Sequence, residues 1–210
     1  MPNTDVERRF LTVEMRATDG DEMIVEGTPI VYEQETDLGW FREKIARGAA
    51  HQALTTSDIF LLFNHDPNQP LARTKNNTLT AWEEDDGVHM KADLSKSEKG
   101  PGLYRDIKNG LIDKMSFAFT VKSQTWIDGD GNEPDLRIVN EIDQLYDLSP
   151  VTYPAYQQTQ LMARSAEAVA KEHAESTTVE EAPSTEERIF DPIEALEPYE
   201  LEATQLIGEI

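Results

Sequence analysis

The sequence predicts an α+β, mainly β domain: a mostly antiparallel sheet or barrel of about seven strands with two helices packed outside it. Three observations carry this. Short apolar or alternating runs bounded by turn residues recur along the first three quarters of the chain, only two segments show helical spacing, and the composition changes near residue 164. The 210 residues suffice for one domain and some extra, and a hydrophobic content of 38% leaves part of the chain without a core to join.

The elements follow in order. Arg9 to Arg16 alternates as a first strand, Asp19-Gly20-Asp21 is a turn, and Met23 to Val25 resumes the strand. Gly27 to Tyr32 is a further strand, with Pro29 marking an edge or bulge. Phe41, Ile45, Ala49 and Ala53 recur at helical spacing, but Gly48 divides them into a short strand or turn and a helix. Ile59 to Phe63 is five apolar residues, a strand buried on both faces, and it runs into Asn64-His65-Asp66-Pro67. Thr78 to Trp82 and Val88 to Leu94 form a hairpin across Glu83 to Gly87. Leu103, Ile107 and Leu111 line one face of a helix that starts after Pro101. Phe117 to Trp126 and Leu136 to Leu148 are the arms of a second hairpin, with its turn at Asp128 to Asn132 and its end at Ser149-Pro150.

Beyond Arg164 the character is different. Residues 165–210 hold thirteen acidic side chains against two basic ones, half of the net charge of −22. They read as an acidic, disordered tail after a folded domain spanning 1–164. So acidic a chain is not expected to bind nucleic acid, which needs a basic face. No apolar run approaches the roughly 20 residues that span a bilayer, so no membrane partner is expected. The absence of Cys excludes disulfides, thiolate metal sites and a cysteine nucleophile, and fits a soluble protein of a reducing compartment. The four His stand apart in the sequence, without a His-Glu-x-x-His pair, and no glycine-rich phosphate loop occurs; no metal and no cofactor are expected.

The chemistry-bearing stretch is Lys114 to Val121. Phe117, Phe119 and Val121 alternate with Ser116, Ala118 and Thr120, which would leave Ser116 exposed beside a groove at a strand start. A serine becomes a nucleophile when a base takes its proton and an acid orients that base. His65, at the end of an apolar strand, is the candidate base. A hairpin symmetric about Gly131 and Asn132 sets Asp147 opposite Ser116, with Cβ atoms about 4.5–5.5 Å apart. The same register sends Glu141 about 20 Å down the strand. One bulge would shift these positions, so Glu141 and Asp143 stay open as the acid.

Four blocks then resemble one family in order and spacing: Phe63-Asn64-His65-Asp66, Pro70 to Arg73, Met115 to Phe119, and Leu145 to Ala155. They are similar to the prohead maturation proteases of tailed bacteriophages, serine proteases akin in fold to the herpesvirus assemblins. The resemblance runs from about Phe10 to Arg164. It implies a herpesvirus-protease-like barrel with His65 as base and Ser116 as nucleophile. The family usually has Glu where this chain has Asp147, and more often Gly where it has Ala72 and Ala118. In the assemblins the third member is a second His, and nothing matches His89 to that role. The implied activity is cleavage of the scaffolding region of the major capsid protein, and of the protease itself, inside immature procapsids in the host cytoplasm. The acidic tail would contact basic faces of scaffold or capsid protein. Homo-oligomerisation stays open.

Two other readings compete. A noncatalytic scaffold, or a protease fused to one, would use the acidic tail as its working part; the strand-rich body disfavours a pure scaffold. An esterase would be signalled by Gly-x-Ser-x-Gly, which does not surround Ser116.

Overall fold

The computed structural model describes residues 6–11, 15–18, 22–130, 133–152 and 160–180. The turns expected at 19–21 and around 131–132, the end of the last family-like block at 153–155, and residues 181–210 of the expected tail lie outside the described residues.

The architecture is mixed α+β, mostly strands. Among the described residues, eleven strands form two sheets. The larger contains β1 (Glu7–Leu11), β10 (Lys114–Ile127), β11 (Leu136–Val151), β5 (Arg42–Ile45) and β4 (Thr36–Asp37) in that order. Two more strands, β6 (Phe60–Leu62) and β7 (Pro70–Arg73), attach to the far end of β11. The smaller sheet runs β2 (Met15–Ala17), β3 (Ile24–Val31), β9 (Gly87–Asp93), β8 (Leu79–Glu84). Neither sheet closes among the described residues, so the expected barrel is replaced by two open sheets. The expected single strand from Arg9 to Arg16 is likewise two strands in different sheets. Pairing is antiparallel except where β11 takes β5 and β6 as parallel neighbours.

One core fills the space between the sheets. Val25, Ile30, Val88, Met90 and Leu94 meet Phe117, Phe119, Ile142, Leu145 and Leu148 there. Burying such side chains stabilises by roughly 1.5–3 kcal/mol each, before ordering entropy is counted. The four apolar residues from Phe41 to Ala53 are all buried as their spacing implies. They lie just before β5, on β5, in a turn and on α1 (His51–Thr56), because Gly48 adopts a φ of +82° that ends helical continuity. In α2 (Gly100–Lys108), Leu103 and Ile107 are buried, but Leu111 falls beyond the helix and is 69% exposed; Ile112 takes the inward place. Gly100 opens this helix because a Cβ there would lie 1.9 Å from the carbonyl oxygen of Leu94.

The tail boundary also moves. Helix α3 (Gln160–Glu180) runs across residue 164, so residues 165–180 are helical rather than disordered. Ala166 and Val169 pack against Leu38, Phe41 and Trp126, and the His173 ring stacks on Trp126 at 4.0 Å. Abundant Glu and Ala favour helix, and a narrow stripe of small apolar residues is enough to seat one. No helix among the described residues is long and apolar enough to cross a membrane.

Candidate active site

Strand β11 is the frame of the site. On one side it pairs with β10, which carries Ser116; on the other, Phe60 of β6 pairs with Asp147. The chain leaving β6 therefore emerges beside Asp147, and that chain carries His65. Asn64 fixes the loop to the end of β11: its amide donates to the Pro150 carbonyl at 3.0 Å, and its side chain exchanges hydrogen bonds with Thr152. Asn64 and His65 both sit in the left-handed region, at φ +53° and +58°. Such a conformation costs of order 1–3 kcal/mol at a non-glycine residue and persists only where neighbours enforce it. Asp66 closes the turn, accepting from Asn68 and Gln69. These hydrogen bonds, chiefly that from Gln69, hold its carboxyl below the ordinary range.

The three candidates from the sequence come together. Nδ1 of His65 lies 2.6 Å from Oδ1 of Asp147, and Nε2 lies 2.5 Å from Oγ of Ser116. The imidazole thus bridges hydroxyl and carboxylate, the geometry that passes a proton off an oxygen while holding the ring in one tautomer. Asp147 is a methylene shorter than the usual Glu and still reaches the ring. Ser149 also donates to Asp147, a partner that the sequence reading missed because Ser149-Pro150 looked only like a strand end. Glu141 is elsewhere, paired with Lys122 at 2.7 Å. Asp143 is also outside this chain of bonds, and Gln144 holds the register place opposite Thr120.

The expected register is wrong at this end. Near the turn it holds, with Ile127 opposite Leu136. Four bulges then shift it by two residues, so Ser116 faces Ser149 and Asp147 faces Ala118. Asp147 meets Ser116 through His65, not directly across the hairpin. The expected exposure of Ser116 is also corrected: the residue is 0% exposed. Strand β1 pairs along this edge of β10, and Oγ of Ser116 donates to the Arg9 carbonyl at 2.8 Å.

A second buried polar cluster adjoins the first. Arg9 bonds Glu7 and Glu43, and Arg137, itself 0% exposed, bonds Glu7 at 2.6 Å and Glu43 at 2.7 Å. Burial opposes the charge on Arg9, but the Glu43 and Glu7 carboxylates outweigh it and raise its pKa. For Glu7 burial acts upward, and Arg9 with Arg137 reverses it, so the carboxyl lies below its ordinary range. In the sequence the four His stand isolated. The fold sets His89 2.8 Å from Asp86 and near Glu84, and His173 3.6 Å from Asp135 and near Asp128. The first of these groups is mostly exposed and the second partly so.

The model of the caudovirus prohead serine proteases matches residues 11–172. The chain belongs to that family. It is a serine protease of capsid maturation, and a prohead protease acts within procapsids in the host cell. A solved structure titled the bacteriophage T4 capsid assembly protease, gp21, is similar, with a TM-score of 0.49 and 16% identity over 71% of this chain and 98% of that one. No curated protein matches.

Proposed function

We propose that this protease cleaves the scaffolding region of the major capsid protein, and itself, using Ser116 as nucleophile, His65 as general base and Asp147 as orienting acid. The observation that carries the reading is the unbroken hydrogen-bond chain from Ser116 through His65 to Asp147. In the forward step, Oγ of Ser116 bonds to the scissile carbonyl carbon while its proton passes to Nε2 of His65. Asp147 holds Nδ1–H and stabilises the imidazolium. The proton then goes to the leaving amine nitrogen as the C–N bond breaks. Water attacks the resulting acyl-enzyme by the same proton route and restores Ser116.

The test is co-expression with the major capsid protein, comparing wild type with Ser116→Ala by intact mass. Capsid protein shortened by wild type and left whole by a folded mutant is expected; equal shortening removes Ser116 from the mechanism. The acidic segment after α3 is proposed as an assembly contact, since charge there can meet basic faces of capsid or scaffold. Ending the chain after Glu180 should leave peptide hydrolysis unchanged and lower the number of protease copies per procapsid. Equal packaging would leave that segment a solvating extension.

A further inference from the structure

We infer that β1 is a removable strap lying in the slot where the substrate polypeptide must bind, and that the enzyme works only when an extended segment of substrate replaces β1 along β10. This rests on the reading of Ser116 as nucleophile. The first ground is access. A serine with no exposed surface cannot meet a peptide bond, and β1 holds the sheet edge beside it, pairing Phe10 with Ser116 and Arg9 with Phe117. Edge strands are the natural place for another chain to add, because main-chain groups there can pair with any extended sequence.

The second ground is the hydroxyl itself. Ser116 has one proton and two acceptors within reach, Nε2 of His65 at 2.5 Å and the Arg9 carbonyl at 2.8 Å. While β1 is in place, its carbonyl competes with the base for that proton. When β1 leaves, His65 is the remaining one of these two acceptors.

The third ground is that β1 can leave without stranding a charge. It contributes one acid and one base, Glu7 and Arg9, to the four-residue buried cluster. What stays behind is Glu43 with Arg137, a neutral pair already bonded at 2.7 Å. A buried ion without its counter-ion is what makes breaking such clusters unfavourable, and this withdrawal creates none. The family match begins at residue 11, the last residue of β1, so the strap lies ahead of the matched region.

The chain has no Cys, so a staple can be placed cleanly. Arg8 and Ala118 are opposed in the β1–β10 register, at a spacing of the order that a disulfide bridges. The protein carrying Arg8→Cys and Ala118→Cys is oxidised or reduced, and Ser116 is titrated with a fluorophosphonate. The expected result is at least about tenfold slower labelling when oxidised, restored by reductant. Equal labelling of the two forms overturns the strap. In a second arm, Glu7→Gln with Arg9→Gln weakens the clip and should speed labelling several-fold over wild type; unchanged or slower labelling of the folded double mutant also counts against it. Ser116→Ala separates the two readings: if it labels as well as wild type, the nucleophile assignment fails, whatever the staple does.

Discussion

Two buried polar clusters lie on the same hairpin, and Arg9 touches both, one with its carbonyl and the other with its side chain. In the cluster of Glu7, Arg9, Glu43 and Arg137, two carboxylates meet two guanidinium groups, which cannot lose their protons at any ordinary pH. The carboxylates there face only guanidinium groups that keep their protons, so the cluster holds strands together. In the cluster of Ser116, His65, Asp147 and Ser149, the central group is an imidazole, whose two nitrogens can accept from one partner and donate to another, beside a hydroxyl with a choice of acceptors. Both are dense in hydrogen bonds. The middle residue, a guanidinium that only donates or an imidazole that can donate and accept, makes one of them a clasp and the other a candidate for chemistry.

Substitutions can break this contrast. The largest effect is expected at Ser116→Ala or His65→Ala, each lowering turnover by on the order of 10⁴–10⁶ with the fold intact, and the double mutant should be little worse because the pair acts as a unit. Two multiplying losses, read from single-turnover cleavage of capsid protein, would count against direct cooperation. Next comes Asp147→Asn, which presents the wrong hydrogen-bond partner to Nδ1 and should lower turnover by roughly 10⁴. Arg137→Met should do the opposite. It leaves carboxylates under-compensated and should lower stability by about 3–5 kcal/mol, while the molecules that stay folded cleave normally. Denaturant melts beside active-site titration would separate the two, and a turnover defect without lost stability would erase the distinction. Ser149→Ala removes one donor from a buried carboxylate, worth about 1.5–3 kcal/mol, and should lower turnover tenfold or more. Glu141→Gln loses only a partly exposed ion pair and should change both quantities by less than about 0.5 kcal/mol.

Acid sharpens the contrast further. The pKa of Glu7 is depressed in the folded state, so its contribution is present above the ordinary carboxylate range and is lost as pH falls through the folded value. With Glu43, Arg9 and Arg137 facing it, protonated Glu7 leaves the cluster an excess of positive charge. Hydrogen exchange at residues 7–11 should therefore quicken as pH falls below the ordinary carboxylate range, before β10 and β11 lose protection. Simultaneous loss in all three strands would mean that β1 is not a separate unit.

How much was legible from sequence follows from this difference. His65, Ser116 and Asp147 could be named because each falls in a short block with its own local pattern. The hairpin that joins two of them was also visible, but not its register at the far end. No Gly or Pro between Ala118 and Lys122 marks the bulges that carry Asp147 two places along. The clasp was invisible. Glu7 and Arg9 look like an ordinary polar stretch, and their partners lie 130 and 34 residues away. Residues 165–180 misled through composition, since Glu-rich and Ala-rich sequence suits both a solvated tail and a helix that needs only Ala166 and Val169 to anchor it.

Separation along the chain also sets an order of events in folding. Strand β10 finds β11 across a short turn, on the microsecond scale of hairpins. Its other neighbour, β1, must return across the 107 residues between Arg9 and Ser116, and closing so long a loop is entropically the later step. Each newly folding molecule should then pass through a stage with the serine edge formed and uncovered. Substitutions near the Asp128 turn should slow folding, whereas those at Glu7 and Arg9 should leave the folding rate unchanged and speed unfolding. A freshly made protease has, on this ordering, a brief interval in which a neighbouring chain can reach β10 before its own first strand does.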